Sequence, residues 1–477
     1  MLKKTSPWRL FFDTAIHGTI GTIGDVLCIN AGIYSTLMLH FFQDSIKYQY
    51  GEKSSTITNT AFSLFSASDI LGNFFVGFIY VYLIKWFGSL NTWVRLRHII
   101  IQICCILMIM AKVLNLFQLA ILSRFLLGGS MFFCITENIF LAECAGDKYK
   151  DTVILNLVTY YTVMGMILTP LAHDNIFGND DRWMYLYVLS SIISLIYLLY
   201  TIKIYESPKE LYINVQNKNE ARKSLKYYLG KHANIEKTFN EYEEEIKIKK
   251  SIKRMTVWEI CKDQKLRKVM LLLLGVTAMT SISFYILVRP YLQIIYMRYG
   301  ASISTSTWLH MSFQIIGITA SLGAPWVFKR VSHKKILTFY VVVIIITFSC
   351  VLVGEYIHFN DETSTIPLIL CVAALLMDRA SIGIGRPAIG TILLTDMTPI
   401  QAKDGMGQVT TIFFNLLLCF QHFTYLPFFD LIGSYLYIIY TAIVISIYIL
   451  VMIYLPSQED KKSNVLKEEE ESLKMLS

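Results

Sequence analysis

Two sets of charged residues repeat along the chain in the same order. Each set has an arginine, a glycine four positions later, an acid and a lysine: Arg124, Gly128, Glu143 and Lys150 in the first set, and Arg379, Gly383, Asp396 and Lys403 in the second. In both sets the lysine follows the acid by seven residues, and the sets lie 253 to 255 residues apart. Each set lies where a long apolar segment ends. Charges repeated at such edges indicate two homologous halves, the usual architecture of a secondary transporter.

The repeated charges can pair across the ends of neighbouring helices. Glu143 and Asp396 end apolar segments, and Lys150 and Lys403 begin the next ones. Ion pairs at these ends would hold the two halves together in one state, and their loss would release the other state. The alternative is that the lysines only anchor the helices at the membrane interface. The predicted gating charges are Arg124, Glu143, Lys150, Arg379, Asp396 and Lys403.

Three acids fall inside apolar segments, namely Asp25, Asp69 and Glu137. An ionisable side chain at membrane depth is costly, so each acid is a hypothesis of function by default. One of them would carry a proton or ion in a coupled carrier. The alternative is a neutral or hydrogen-bonded acid that holds two helices together, and the small residues around Asp69 permit such a close contact.

Apolar segments long enough to cross a bilayer position these charges. Hydrophobic residues make up 54% of the chain and charged residues only 16%, and the mean hydropathy is +0.49. A soluble chain of 477 residues could not cover its surface with so few charges. We predict about twelve spans of roughly 20 residues or more, numbered one to twelve in chain order: 11–40, 58–86, 93–112, 115–142, 151–173, 183–204, 267–295, 304–328, 336–356, 365–395, 405–428 and 431–455.

Basic residues in alternate connections predict the orientation of the spans. They precede span one and follow spans two, four and eight, as at Arg95, Lys148 and Lys334. The connections after spans five, nine and eleven are poor in lysine and arginine. The positive-inside rule then places both termini in the cytoplasm. The formal net charge of +8 reflects this rule, so we expect no nucleic-acid partner.

The chain divides into four predicted parts. A six-span bundle at 1–204 precedes a cytoplasmic helical insert at 205–266, and a second bundle at 267–456 precedes a tail at 457–477. Charge sets the insert apart, because residues 205–268 hold 26 of the 78 charged residues. Two helices are predicted within the insert, with Gly230 as the stop signal between them.

Sequence patterns of enzymes and metal sites are missing. The sequence has no phosphate-binding loop, nucleophile elbow or metal-ligand cluster, and its nine cysteines have neither metal nor disulfide spacing. We therefore expect no enzyme activity, no cofactor and no metal. The expected partners are a small-molecule solute and membrane lipid, and the oligomeric state stays open.

Short motifs match one transporter family in their order and spacing. Glu206-Ser-Pro-Lys209 is similar to P-E-S-P-R, Ser123-Arg-Phe-Leu-Leu-Gly128 to G-R-F-x-x-G, and the segment from Asp396 to Lys403 to E-x-F-P-x-x-x-R. Over essentially its whole length the chain resembles the sugar porter family of the major facilitator superfamily, and within it the facilitative glucose transporters. The resemblance implies an all-α membrane protein with the major facilitator superfamily fold. Its twelve transmembrane helices would form two six-helix bundles around a central site.

The same resemblance places the solute site. The expected solute contacts are Asn30, Thr159, Ser281 and Thr391. The paired glutamines that the family carries in span seven fall on Gly275 and Val276, and the family's span-ten tryptophan is lost. Each sugar hydroxyl needs a partner when it leaves water. We therefore expect weak or absent high-affinity glucose transport.

Two spans have features typical of a helix that lines a transport path. Arg386-Pro387 predicts a break near the middle of span ten, and Pro290 predicts a bend late in span seven. Asp378 and Arg379 are adjacent and point to different sides of their helix, so the sequence predicts no pair between them.

These observations predict a carrier in the plasma membrane. It would move a small polar solute, a sugar or sugar-like molecule, by facilitated diffusion with alternating access. Two other functions stay open: a carrier for an organic ion or a proton-coupled substrate, and a transport-inactive sensor or receptor of the same fold. The sensor ranks last, because sensors of this fold carry long signalling tails.

Overall fold

The computed structural model describes residues 7–23, 34–51, 54–88, 90–230, 234–251 and 255–455. Within these ranges the regular secondary structure is helical, without a β-strand. The predictions at Asp25 and Asn30 and the predicted tail 457–477 lie outside the described residues. The side chain of Glu137 also lies outside what the structure describes.

Eight of the described helices are long and apolar enough to cross a membrane. They correspond to spans two, three, six and eight to twelve, and span three begins with a π-helical segment. Their bounds are Ser55–Phe87, Asn91–Leu96 with Arg97–Leu114, Met184–Tyr200, Ile303–Arg330, His333–Asn360, Ile366–Gly383 with Ala388–Met397, Ile400–Ile432, and Tyr435–Tyr454.

The four remaining spans depart from a single straight helix. Span seven is the pair Gln264–Ser281 and Phe284–Arg298, bent by 67° at its break. Spans four and five form one helical run, Phe117–Leu168, in which Gly146 (φ 61°, ψ 172°) separates two helices. In span one the structure describes the helix Trp8–Gly18, which precedes residues 24–33, and the helix Ser35–Tyr50, which follows them. The structure is thus consistent with the twelve predicted spans.

The chain folds into two compact units. The first contains Met1–Lys253, Val288–Gln314 and Leu418–Leu431, and the second contains Arg254–Leu287, Ile315–Leu417 and Ile432–Ser477. Segments from the second half of the sequence therefore belong to the first unit. The unit boundaries fall inside spans seven, eight and eleven.

Glycines bring spans two and four together in the first unit. A Cβ on Gly72 would overlap the carbonyl oxygen of Phe125, and a Cβ on Gly128 would overlap the backbone of Asp69. Small residues of this kind let helix backbones approach closely in a membrane, where van der Waals packing holds helices together. Any side chain at either position would push the two spans apart.

The insert has its own small core within the first unit. Helices Pro208–Ile213, Lys218–Leu229 and Ile235–Ser251 lie within the predicted insert, and Gly230 (φ 86°) ends the second of them. Tyr212, Phe239 and Tyr242 pack together with buried Ala221 and Leu225. Burying each large apolar side chain contributes about 1.5–3 kcal/mol. The insert helices can therefore hold together at the membrane surface.

Hydrogen bonds join the insert to the first helix of span one, and that helix to span six. The guanidinium of Arg9 donates to the Tyr227 hydroxyl at 2.7 and 3.0 Å, and the Tyr200 hydroxyl donates to buried Asp13 at 2.6 Å. The Tyr228 hydroxyl donates to the carbonyl of Tyr205 at 2.6 Å. The insert is thus fixed to the end of the bundle rather than loosely tethered.

Aromatic packing organises the second unit. The ring of Phe348 in span nine stacks on Tyr437 and Tyr440 of span twelve, with centroids 6.0 and 6.3 Å apart. Phe284, at the start of the second half of span seven, meets Tyr437 edge-on at 5.8 Å. Such pairs add about 0.5–1.5 kcal/mol beyond the area they bury. They hold the span-seven break against a fixed neighbour.

Candidate functional site

Arg124 and Asp69 form an ion pair between spans four and two. Nη2 of Arg124 lies 3.0 Å from Oδ2 of Asp69, and their side chains are 5% and 20% exposed. The other carboxylate oxygen of Asp69 accepts from the backbone N–H of Ile70 at 2.9 Å. The close approach at Gly72 and Gly128 makes this pairing possible. The structure thus joins a predicted gating charge to a predicted coupling acid.

Glu143 contacts the start of the insert. Its carboxylate accepts a hydrogen bond from the Ser207 hydroxyl at 2.8 Å. Glu206 accepts from the backbone N–H of Leu90 at 2.9 and 3.0 Å and from that of Ser207 at 2.9 Å. The side chain of Lys150 is exposed. Ser207 and Glu206 were not among the predicted gating residues, although the Glu206-Ser-Pro-Lys209 motif was the signal for them.

Carboxylates gather where span four meets the insert. Burial raises the pKa of Glu210 above its ordinary value of 4.5; a hydrogen bond from Asn214 opposes the shift, and the charges of Glu206 and Glu143 add to it. Like charges and desolvation both disfavour the ionised form. Proton binding at Glu210 therefore favours the packed arrangement of this corner.

The second predicted charge set has different surroundings. Oδ2 of Asp396 lies 3.9 Å from Nδ1 of His333 at the start of span nine. Arg379 packs its guanidinium against Gly317 of span eight, where a Cβ would overlap it. Lys403 is half-buried near the start of span eleven. The two sets therefore repeat in sequence, while their described contacts differ.

Spans seven and ten are both broken, and charged side chains join the breaks. Arg386 pairs with Asp378 at 2.5 Å, both side chains being 0% exposed, and donates to the Ser283 hydroxyl at 2.7 Å. The second carboxylate oxygen of Asp378 accepts from the backbone N–H of Tyr285 at 2.8 Å. The sequence analysis predicted neither the pair nor its bond to span seven.

The break in span ten is where the sequence predicted it, and the break in span seven is not. Helix Ile366–Gly383 ends before Pro387, and Gly385 has φ 103°. In span seven the bend lies at 282–283, between Ser281 and Phe284. Pro290 lies in the short 3-10 turn Arg289–Tyr291, which interrupts the α-helix between Val288 and Leu292. Its early position in that turn tolerates the missing N–H.

The predicted solute contacts have the following surroundings. Ser281 is buried, and its hydroxyl donates to the carbonyl of Ala278 at 3.0 Å. Thr391 is exposed on the second half of span ten, and Thr159 is exposed on span five. Ser281 and Thr391 belong to the second unit and Thr159 to the first.

The family's glutamine positions in span seven face the interior of the second unit. A Cβ on Gly275 would lie 3.0 Å from Val451 and 3.8 Å from Ile447 of span twelve. Val276 is fully buried. A side chain at Gly275 would therefore require the Val451 side chain of span twelve to shift by a few tenths of an ångström.

Polar contacts in the first unit join the two halves of the sequence. Oγ of Ser304 donates to Asp174 at 2.8 Å, and the amide of Asn59 donates to Asp430 at 2.5 Å. The Ser304 hydrogen bond lowers the pKa of Asp174, and burial opposes the shift. These contacts connect span two and the loop after span five to spans eleven and eight.

Aromatic contacts lie in the same unit. Tyr291 stacks on Tyr425 at 5.3 Å and meets Phe62 at 5.8 Å. The hydroxyl of Tyr291 donates to the carbonyl of His422 at 2.5 Å. The second half of span seven is thereby packed onto spans two and eleven.

Comparison with protein families gives one match over most of the chain. The family described as "Sugar (and other) transporter" matches residues 22–464. Among curated proteins, the human "Solute carrier family 2, facilitated glucose transporter member 7" is 21% identical over 427 residues, 88% of this chain and 81% of that protein. The mouse protein of the same name is 24% identical over 277 residues, 58% of this chain. The chain spans about half of that relative, 53% of its length.

Solved structures share the fold at low identity. The xylose transporter XylE from E. coli, in an inward-open conformation, superposes with a TM-score of 0.70 at 14% identity, over 94% of this chain and 96% of that one. Its partially occluded inward-open form gives a TM-score of 0.68 at 13% identity, over 94% and 99% of the two chains. The predicted fold of two six-helix bundles is confirmed by this likeness.

Proposed function

The chain belongs to the sugar (and other) transporter family, and from this premise we propose that it carries a sugar or sugar-like solute across the plasma membrane. Transport would be facilitated diffusion with alternating access. The family match over residues 22–464 is the observation that carries the proposal. Membership also confirms the predictions of a multi-pass membrane protein and of a carrier rather than an enzyme.

Alternating access would use contacts at both ends of the spans. The Asp174–Ser304 and Asn59–Asp430 hydrogen bonds would close one side and break when that side opens. At the other end, the predicted gating charges would exchange partners between states. Those charges are Arg124, Glu143, Lys150, Arg379, Asp396 and Lys403. The Glu143–Ser207 hydrogen bond supports this proposal, because it ties the end of span four to the insert.

We further propose the orientation and the division of the chain. Bundles at 1–204 and 267–456 would flank a cytoplasmic insert at 205–266, and both termini would lie in the cytoplasm. The basic connections on one side support this orientation. The solute would contact Asn30, Thr159, Ser281 and Thr391 between the broken spans.

Uptake into vesicles that contain the purified protein tests the proposed function. The panel is D-glucose, D-fructose, D-xylose and myo-inositol, measured without an ion gradient, with protein-free vesicles as the control. We expect saturable uptake of at least one sugar and faster exchange when the same sugar is inside. D-Glucose uptake should be at least about tenfold weaker than the best uptake, because one unpaired hydroxyl costs about 1–3 kcal/mol. A folded protein that moves none of these sugars would contradict the proposal.

The Asp69–Arg124 ion pair supports proton-coupled transport as a second candidate. Asp69 is a mostly buried acid beside a guanidinium, and acids at membrane depth often mark proton paths. An inward proton gradient should then stimulate uptake in the wild type, and Asp69→Asn should abolish that stimulation. Asp44→Asn, on an exposed turn of the helix Ser35–Tyr50, is the matched control. Wild-type uptake that does not change with the proton gradient would favour facilitated diffusion.

A further inference from the structure

Four groups in the second unit join the break of span seven to the break of span ten. We call them the charge clamp: the Ser283 hydroxyl, the Tyr285 backbone N–H, the Asp378 carboxylate and the Arg386 guanidinium. Asp378 accepts from Tyr285 with one oxygen and from Arg386 with the other. Arg386 uses its second terminal nitrogen for Ser283. The Asp378 carboxylate and the Arg386 guanidinium thus connect the break of span seven to the break of span ten.

The charge clamp exists only because span ten is broken. Asp378 and Arg386 are eight residues apart, a distance of about 12 Å along an unbroken helix. The turn at 384–387, with Gly385 at φ 103°, brings Arg386 back towards Asp378. The backbone N–H of Arg386 bonds the carbonyl of Ser381 at 3.3 Å, which fixes that turn. Arg386 can therefore reach Asp378 only when span ten is broken at this turn.

Stability alone explains the charge clamp poorly. Both charged side chains are fully buried, and Nε of Arg386 has no hydrogen-bond partner among the described residues. Buried ion pairs of this kind can often be replaced by apolar side chains without loss of stability. A pair that spans two helix breaks instead fixes geometry, because each break would otherwise leave its backbone groups free to reorient.

We propose that Asp378 and Arg386 are positioning residues for transport. The charge clamp fixes the chain direction at 282–283, and so aims Ser281 and the half-helix that begins at Phe284. The two breaks then bend together as one hinge. This inference rests on the proposed function for its transport role, whereas the coupling of the breaks does not.

Hydrogen–deuterium exchange of the full-length protein in lipid nanodiscs tests the coupling. Ser283→Ala removes one of the two hydrogen bonds between the breaks, the one from Arg386, and leaves Arg386 paired with Asp378. We expect about tenfold faster exchange in both segments, 282–288 and 384–390, because one hydrogen bond protects each opening. Ser306→Ala is the matched control, since Ser306 is also buried but its hydroxyl donates within its own helix, to the carbonyl of Ile303. In this control, amide exchange in both segments should stay as slow as in the wild type.

Charge and geometry are separated by two further variants. Arg386→Lys keeps the charge but cannot reach Asp378 and Ser283 together, because an ammonium group lacks the planar fork of a guanidinium. It should therefore behave like Ser283→Ala. Ser283→Thr keeps the hydroxyl, so both segments should exchange as slowly as in the wild type. Exchange that rises in only one segment, or wild-type exchange in Arg386→Lys, would overturn the charge clamp.

Transport kinetics test the positioning role. Uptake of the best-transported sugar of the panel should show about tenfold lower turnover per folded molecule in Ser283→Ala, with the unfolding temperature and KM close to those of the wild type. A merely structural role would lower the unfolding temperature and leave turnover unchanged, which would contradict positioning. If the wild type moves none of the four panel sugars, the proposed function is at fault and hydrogen exchange still decides the charge clamp.

Discussion

Single residues in span seven set limits on how a sugar site can be rebuilt. Gly275 stands where the sugar porters carry a glutamine, and it packs against Val451 of span twelve. Its neighbour Val276 is fully buried. The sequence gives no sign of this contact, because Gly275 and Val451 are distant in the chain. The missing glutamines are thus a change of packing as well as a change of hydrogen-bonding groups.

Gly275→Gln is expected to destabilise the protein rather than to create a sugar contact. Overpacking of a filled interior costs about 1–3 kcal/mol, and a buried amide without partners adds to that cost. The measurement is the unfolding temperature of the purified protein by size-exclusion chromatography after heating. Val451→Ala in the same chain makes room and should recover part of the loss. Stronger sugar uptake by the stable single variant would contradict this reading of span seven.

The acid at Glu210 predicts how stability depends on pH. Burial raises its pKa in the folded protein, so the protonated form is favoured on folding. The resulting stability is fully present below the ordinary pKa and is lost as pH rises through the folded pKa. Glu210→Gln should therefore be more stable than the wild type near neutral pH and should flatten the dependence above pH 4.5.

Thermal unfolding from about pH 4 to 8 checks this prediction. Glu244→Gln is the control, because Glu244 is an exposed acid on another insert helix. Parallel pH profiles for the wild type and Glu210→Gln would show that burial does not raise the pKa of Glu210.

The Asp378–Arg386 pair marks the limit of sequence reasoning at the residue scale. Helical spacing rules connect residues three or four apart, and these two are eight apart. Only the turn at 384–387 brings them together. A sequence analysis that predicts the break at Pro387 still lacks the direction in which the chain turns, because that direction depends on the neighbouring span.

At the scale of helices, the glycines of spans two and four decide how closely the spans pack. Gly128 lies against the backbone of Asp69, so even a methyl group has no space. The same contact places Arg124 within reach of the Asp69 carboxylate. Helix packing and the buried ion pair therefore depend on each other.

Gly128→Ala should destabilise the first unit by about 1–3 kcal/mol or more and separate Arg124 from Asp69. The matched control is Gly165→Ala on span five, where no atom lies within 4 Å of the added Cβ. That control should be neutral or slightly stabilising, since alanine favours helix over glycine. Unfolding temperatures of the two purified variants give the comparison, and equal values would show that spans two and four can move apart freely.

The sequence predicts the break in span ten but not the break in span seven. Pro387 predicts the break in span ten, because proline removes a helical hydrogen bond. The segment Ser281-Ile-Ser283 has neither proline nor glycine, so nothing local marks the break in span seven. Its cause is tertiary, because Asp378 of span ten accepts from the freed Tyr285 amide and Arg386 of span ten donates to the Ser283 hydroxyl.

At the scale of the whole molecule, the number and kind of spans followed from the sequence. Apolar runs of sufficient length have few other solutions in a membrane, because every backbone group must be bonded internally. The insert was equally clear from its charge and from the stop at Gly230. The predicted site residues stay proposals, because which side chains meet depends on helix rotation, and hydropathy carries no information about rotation.

The proposed orientation predicts that the insert and the first loop lie on opposite sides of the membrane. Lys218→Cys should react with a membrane-impermeant maleimide only after the cell membrane is permeabilised, whereas Tyr50→Cys should react in intact cells. Both native side chains are exposed. Tyr50 is preferable to Gly51, whose φ of 80° disfavours a side chain. Labelling of both variants in intact cells would refute the orientation.

The bond from Asp378 to the amide of Tyr285 also sets an order of events during synthesis. The two partners are separated by 93 residues, which a ribosome adds in roughly 5 to 20 seconds. Until span ten has been made, the nascent second half of span seven has no carboxylate to receive that amide. Span seven is therefore synthesised before this bond can form, and a chain that stops short of residue 378 lacks it.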